Sequence, residues 1–240
     1  MRKLLTIGLS MFVLSVFGQT KIHQTFPIDT QQEVSLNFDF PQLIKLSTWD
    51  KNEIEITGTS NINDGKNDAS FQITKQSSSQ QITIEGKLHD YKNIPQKIIA
   101  YNGKEKKIFN SKEELKEYEK TNNVKFSNTS LNSQVEIVLE IKIPRQLKTK
   151  IEATYGTIEI KNLANTITAI STYGSVDATI DEKKTGEIKL ETFYGTIFTD
   201  LKLPMQTTKK EDFHTVITAF TGKNPRQEFS SKFGNIYLRK

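Results

Sequence analysis

Cysteine is absent from all 240 residues. That single absence removes a disulfide framework, a thiolate metal site, a cysteine nucleophile and lipid attachment at a cysteine. Tryptophan occurs once and histidine three times. His23, His89 and His214 stand far apart, without the paired spacing of a zinc-binding helix, so no metal and no cofactor is expected. A G-x-S-x-G elbow, a P-loop and a dinucleotide fingerprint are all missing. Paired carboxylates can hydrolyse glycosides. Here, however, Glu152, Glu159, Asp177, Glu187 and Glu191 fall on alternating outward positions among lysines, as on a solvated strand face. The stretch NINDGKND (61–68) has the look of a calcium loop. Registering Gly65 as its sixth position puts Ser60, Ile62 and Phe71 where ligands belong, so it reads as a hairpin connection. Thr154, Thr157, Thr172 and Thr196 do not make the two-column array of an ice-binding face. No catalytic residue is expected, and the chain reads as a non-enzyme.

Long apolar runs are equally scarce. Residues 4–17 (LLTIGLSMFVLSVF) follow Met1, Arg2 and Lys3 and make a run of 14, short of the roughly 20 residues that span a bilayer. With Gly18 at a cleavage position, residues 1–18 read as an export signal, leaving 19–240 as a single exported domain that is not transmembrane. The formal charge of +5 falls to +3 without Arg2 and Lys3, and residues 91–126 hold nine lysines against five glutamates. No basic stripe interleaved with aromatics crosses the chain, so nucleic acid is not an expected partner.

What is abundant is repetition. Tyr155-Gly156, Tyr173-Gly174, Tyr194-Gly195 and Phe233-Gly234 recur with glycine gaps of 18, 21 and 39. DFHTVIT (212–218) lies midway in the longest gap, placing Phe213 in the aromatic column, His214 in the glycine column and Val216 in the apolar column. On this reading His214 is a degenerate turn residue whose replacement by glycine leaves stability unchanged or improved. A period near 20 residues marks a solenoid, in which each unit buries its face only against its neighbours. Each copy reads as strand, bend, strand, with Ile151, Ala153 and Tyr155 sharing one side by period-two alternation. The glycine permits a turn through φ > 0. Ile158, Val176, Ile197, Val216 and Ile236 are expected to stack as an apolar ladder. Tyr155, Tyr173, Tyr194, Phe213 and Phe233 are expected to stack beside it as an aromatic one, packed as core.

The first half has the same texture with looser turns. LIKLSTWDKNEIEITG (43–58) and FQITKQSSSQQITIEG (71–86) each read as strand, turn, strand, and QVEIVLEIKIP (134–144) as a long strand stopped by Pro144. Residues 91–126 differ and read as an insertion. KIIAYNGKEKKIF (97–109) predicts a hairpin turning at Asn102-Gly103, and SKEELKEYEK (111–120) a short helix with Ser111 as N-cap and Glu114 completing a capping box. Lys97, Lys104, Lys106, Lys107, Lys112 and Lys116 make it a candidate interaction patch. Without the insertion, the remainder suffices for about nine coils.

Three passages carry a family resemblance: STWDKNEIEITG, IKIPRQLKTKIEATYGTIEI, and the Gly-bend coils themselves. The chain resembles the bacterial "putative adhesin" family of exported β-solenoid proteins, over nearly all of the mature chain except 91–126. The resemblance implies a right-handed parallel β-solenoid in the periplasm or on the cell surface. The preferred expectation is an adhesin-like module binding an envelope protein or glycan through a solenoid face or the basic insertion. The alternatives are a structural or stress-related periplasmic protein without a dedicated ligand and a polysaccharide-active β-helix enzyme.

Overall fold

The computed structural model describes residues 19–29, 31–161, 165–222 and 225–240; the expected leader at 1–18 lies outside them. Alternating apolar side chains put most described residues into strands. Two mixed sheets, of eight and nine strands, share one hydrophobic core, and a three-stranded sheet has a small core of its own.

The strand, bend, strand unit anticipated by the alternation forms in register. In each unit one strand enters the nine-stranded sheet, the chain crosses, and the next strand enters the eight-stranded sheet. Level one is Gln81–Leu88 with Val135–Pro144, and level two is Glu33–Phe38 with Leu43–Trp49. Level three is Thr149–Ala153 with Thr157–Lys161, and level four is Ile167–Ser171 with Val176–Thr179. Level five is Arg226–Ser231 with Ile236–Arg239, and level six is Glu187–Thr192 with Ile197–Thr199. Successive levels pair in parallel in both sheets.

Inward columns run through the levels. Leu36, Ile151, Ala169, Phe229 and Leu190 oppose one another in one sheet, and Ile44, Ile158, Val176, Ile236 and Ile197 in the other. All but Ile197 are buried, and each such side chain contributes about 1.5–3 kcal/mol.

Two features depart from nine coils wound in chain order. First, the chain visits the levels in the order two, one, three, four, six, five. Second, antiparallel strands close the stack. Glu53–Ile62 and then Thr20–Pro27 lie beyond level one in the eight-stranded sheet, and Phe71–Ser77 lies beyond it in the other. NINDGKND therefore links two different sheets instead of turning a hairpin. Its Asp68 accepts the Ile62 N–H at 2.6 Å and the Thr20 N–H at 3.2 Å. At the far end, His214–Phe220 and Gln206–Glu211 follow level six as a hairpin. The copy expected midway is thus not a coil, and Val216 opposes Glu191 instead of joining the Ile158 ladder. The chain reverses at Asp212-Phe213, with Glu211 opposing His214 across the turn.

The segment between the two strands of level one forms the separate module. Lys97–Asn102 and Glu105–Phe109 pair around Gly103, whose φ is 60°. Helix Lys112–Asn122 begins at Ser111, whose Oγ accepts the Glu114 N–H at 3.1 Å; the Glu114 carboxylate accepts the Asn110 N–H at 2.7 Å. A strand that the sequence reading missed, Asn128–Asn132, pairs with Lys97–Asn102, so the module extends past residue 126. Among the described residues, no helix is long and apolar enough to cross a membrane.

Candidate functional site

The bends place the candidate site, and their chemistry explains why they recur. A Cβ on Gly174 would lie 2.0 Å from the Gly156 carbonyl oxygen, one on Gly234 2.3 Å from that of Gly174, and one on Gly195 1.8 Å from that of Gly234. Only Gly156, with φ 133°, needs glycine for its dihedral angle as well. The general cause is close stacking of one bend on the next, which the sequence reading had assigned to φ > 0. Three residues before each of three glycines stands a buried hydroxyl. Ser171 donates to the Gly156 carbonyl at 2.8 Å, Ser231 to that of Gly174 at 2.7 Å, and Thr192 to that of Gly234 at 3.1 Å. These bonds satisfy carbonyls turned toward the core, and the Ser/Thr-x-aromatic-Gly spacing is the signal that could have revealed them.

The residue before each glycine points the other way. Ala153 is buried, but Tyr155 two residues on is in the bend and half exposed, so the alternation breaks there. The aromatic column is therefore a surface row, not core. Its order is Tyr91, Phe40, Tyr155, Tyr173, Phe233, Tyr194, Phe213, with centroids 4.9, 5.5, 5.2, 4.9, 5.0 and 5.4 Å apart. The middle rings are nearly parallel, at 5–12°. All except half-buried Phe40 are 39–65 % exposed. Phe233 sits between Tyr173 and Tyr194 because level five sits between four and six. Phe213 reaches the row from the tip of a hairpin. Phe40 and Tyr91 were missed: Phe40 precedes Pro41 instead of glycine, and Tyr91 enters from the start of the inserted module.

Because the rings stack face to face, solvent meets their edges and the phenol hydroxyls. Ring edges carry partial positive charge and favour electronegative partners. Hydrogen-bonding groups flank the row. Thr154, Thr172 and Lys232 lie two residues before the bend glycines, and Thr157, Ser175, Asn235 and Thr196 directly follow them. The Asn235 side-chain Oδ1 accepts the Thr196 N–H at 2.9 Å, and Ser175 Oγ accepts the Asn235 N–H at 3.2 Å, which ties adjacent levels together. The Lys232 ammonium lies 5.3 Å from the Phe233 ring.

A charged cluster occupies the neighbouring face of the nine-stranded sheet. Lys189 bonds Glu191 at 2.8 Å and Glu228 at 2.9 Å, and His214 Nε2 lies 2.8 Å from Glu191 Oε1. The His214 ring stacks on Phe193 at 4.2 Å. His214 is thus a packed strand residue and not a turn residue, so the glycine replacement expected to be tolerated is instead expected to destabilise. The Lys189 ammonium, followed by His214, holds the Glu191 carboxyl below its ordinary value of 4.5 against the opposing effect of burial. A depressed carboxyl stabilises the fold above its unfolded value and loses that contribution as pH falls through the folded one. Glu191→Gln is therefore expected to cost about 1 kcal/mol near neutrality, with the deficit shrinking as the pH falls from neutrality to below 4.5 and the carboxylate is protonated. Melting curves of both chains across that range test it; a pH-independent deficit would refute the assignment.

The six lysines of the expected patch do not act alike. Lys97 is buried, pairs with Asp64 at 2.5 Å and contacts Gln134 at 3.2 Å, anchoring the module to the body. Lys107 bonds the Tyr118 hydroxyl and lies 4.2 Å from its ring centroid. Lys104, Lys106, Lys112 and Lys116 are exposed. Among the described residues, no three His, Asp or Glu side chains gather in a way that could hold a metal ion.

No family model and no curated protein matches this chain. Among solved structures it is similar to a "putative cell adhesion protein" from Clostridium sporogenes, with TM-score 0.51 and 10 % identity over 92 % of this chain and 99 % of that one. A "putative adhesin" from Bacteroides fragilis aligns with TM-score 0.20 and 9 % identity over 91 % and 97 % of the two chains. At 10 % identity the first likeness is one of fold.

Proposed function

We propose that this chain is an exported, adhesin-like binding module, without enzymatic activity, that holds an extended glycan along its aromatic row. On this reading the six parallel levels act as a short solenoid, and the row is one binding face of it. The carrying observation is the exposure of six of the seven rings in a single file, since large aromatic side chains left in solvent as a contiguous patch mark interaction sites. The ligand class follows from the chemistry of the file. Ring edges and phenol hydroxyls suit a partner rich in ether and hydroxyl oxygens. The rings, 4.9–5.5 Å apart, follow the spacing of the strands that carry them, about 4.7–4.9 Å, so the row offers a regular series of contacts to an extended chain of repeating units. The adhesion label of the Clostridium sporogenes protein agrees with this reading, and the fold likeness is its only link to this chain.

The test combines Tyr155→Ala, Tyr173→Ala and Tyr194→Ala in one chain. These rings sit on the surface, so the circular dichroism spectrum is expected to stay unchanged. Co-sedimentation with insoluble β-linked polysaccharides is expected to fall at least tenfold, without release of reducing sugar by either chain. Equal sedimentation of the triple variant and the parent, or binding by neither, would overturn the proposal.

A further inference from the structure

Level five follows both of its neighbours in the chain yet lies between them. Arg226–Ser231 pairs in parallel with Ile167–Ser171 on one side and Glu187–Thr192 on the other, and Ile236–Arg239 is likewise enclosed by Val176–Thr179 and Ile197–Thr199. We infer that the slot between levels four and six is a binding site for residues 226–240, and that it accepts this segment from a second copy of the chain as well as from its own.

The slot is shaped for this segment. Phe229 is fully buried and fills the space between Ala169 and Leu190, a volume that neither of those residues occupies. Gln227 and Ser231 are fully buried too. Gln227 accepts from Thr185 at 3.2 Å, and Ser231 donates to the Gly174 carbonyl at 2.7 Å. Gly234 gives the contact its close approach, with room for no Cβ on either side. Phe233 completes the aromatic row between Tyr173 and Tyr194 at 4.9 and 5.0 Å.

The route of the chain makes this place exchangeable. Levels four and six both precede residues 226–240 in the chain, yet neither pairs with the other; on the side facing the other, each meets only this later segment. Parallel pairing on both flanks is local to the segment and does not depend on which chain supplies it. The same backbone ladders and the same buried side chains form in either case, which is the condition for domain swapping and for strand addition from a partner. The partner is therefore another copy, recognised by the pattern Gln227, Phe229, Ser231, Gly234, Ile236, Leu238.

The experiment uses the full chain with a protease recognition sequence inserted after Gly222, where a Cβ would meet nothing within 4 Å. After folding, the connection is cut and a labelled peptide of residues 226–240 is added in excess. The expected result is that the cut chain keeps its β spectrum and exchanges its own segment for the labelled peptide below the melting temperature. Peptides carrying Phe229→Asp or Gly234→Val are expected to be taken up at least tenfold less. In the uncut protein, Thr168→Cys and Glu228→Cys chains, whose substituted positions oppose each other across levels four and five, are expected to give a disulfide-linked heterodimer when refolded together. Retention of the original segment with exclusion of the peptide up to unfolding would overturn exchange. Loss of the segment with an unchanged melting temperature would overturn the slot. Absence of the heterodimer would overturn the second copy as donor.

Discussion

Gly174→Ala is expected to cost about 3 kcal/mol, because the added carbon has nowhere to go. It would meet the Gly156 carbonyl oxygen at 2.0 Å, the Gly156 carbonyl carbon at 2.3 Å and Ser171 Oγ at 2.9 Å. The first two are backbone atoms of the adjacent level, themselves hydrogen-bonded into the stack, so relief requires parting levels three and four. Separation would also break the Ser171 bond to the Gly156 carbonyl and leave that acceptor buried without a partner. Gly103→Ala is the control. Gly103 has φ 60° and nothing near its missing Cβ, so only the left-handed strain of about 1 kcal/mol applies. Urea unfolding of both variants checks the comparison. Equal losses would show that the bends do not stack as described.

Phe229→Ala is expected to remove about 3–5 kcal/mol, the range for deleting a large aromatic side chain from a packed core. Phe229 has no exposed surface and lies between Ala169 and Leu190 in the inward column. The small side chain of Ala169 cannot reach into the cavity, so collapse is poor and the cost should lie high in the range. Phe220→Ala makes the contrast. That ring is 70 % exposed, and its loss should fall within about 0.5 kcal/mol of zero. A loss below about 1 kcal/mol for Phe229→Ala would show that level five is not part of the core.

These two residues also mark how far local pattern could be read. The glycine spacing identified Gly174 correctly as a bend residue, since its neighbours in sequence carry the alternation that the bend interrupts. The reason for glycine was misassigned, because the obstructing atom belongs to a residue 18 positions away and is invisible to a local reading. Phe229 stood in an alternating strand, but nothing near it indicated that its neighbours would be Ala169 and Leu190. The aromatic column was recognised as a column and placed on the wrong side. Period-two alternation assigns Tyr155 to the face of Ala153, and the bend turns it outward by breaking that period. Phe213 was placed in the row, and His214 in the glycine column, for the wrong reason, through a coil that is a hairpin. In the inserted module, the helix with its Ser111 cap and the hairpin at Gly103 were legible because caps and tight turns are made by residues a few positions apart. The partner of Lys97 was not, since Asp64 lies in another turn.

By itself the sequence determined the all-β class, the strand, bend, strand unit and the positions of the four aromatic-Gly bends, all of which depend on alternation and on glycine at short range. Only the tertiary structure decided the order of the levels, the antiparallel closure of both ends and the exposure of the aromatic row. Strands with the same alternation offer nearly equivalent edges to one another, so pairing order is settled by which side chains fill the shared core. Phe229 between Ala169 and Leu190 does so here, and it carries Phe233 into line with Tyr173 and Tyr194.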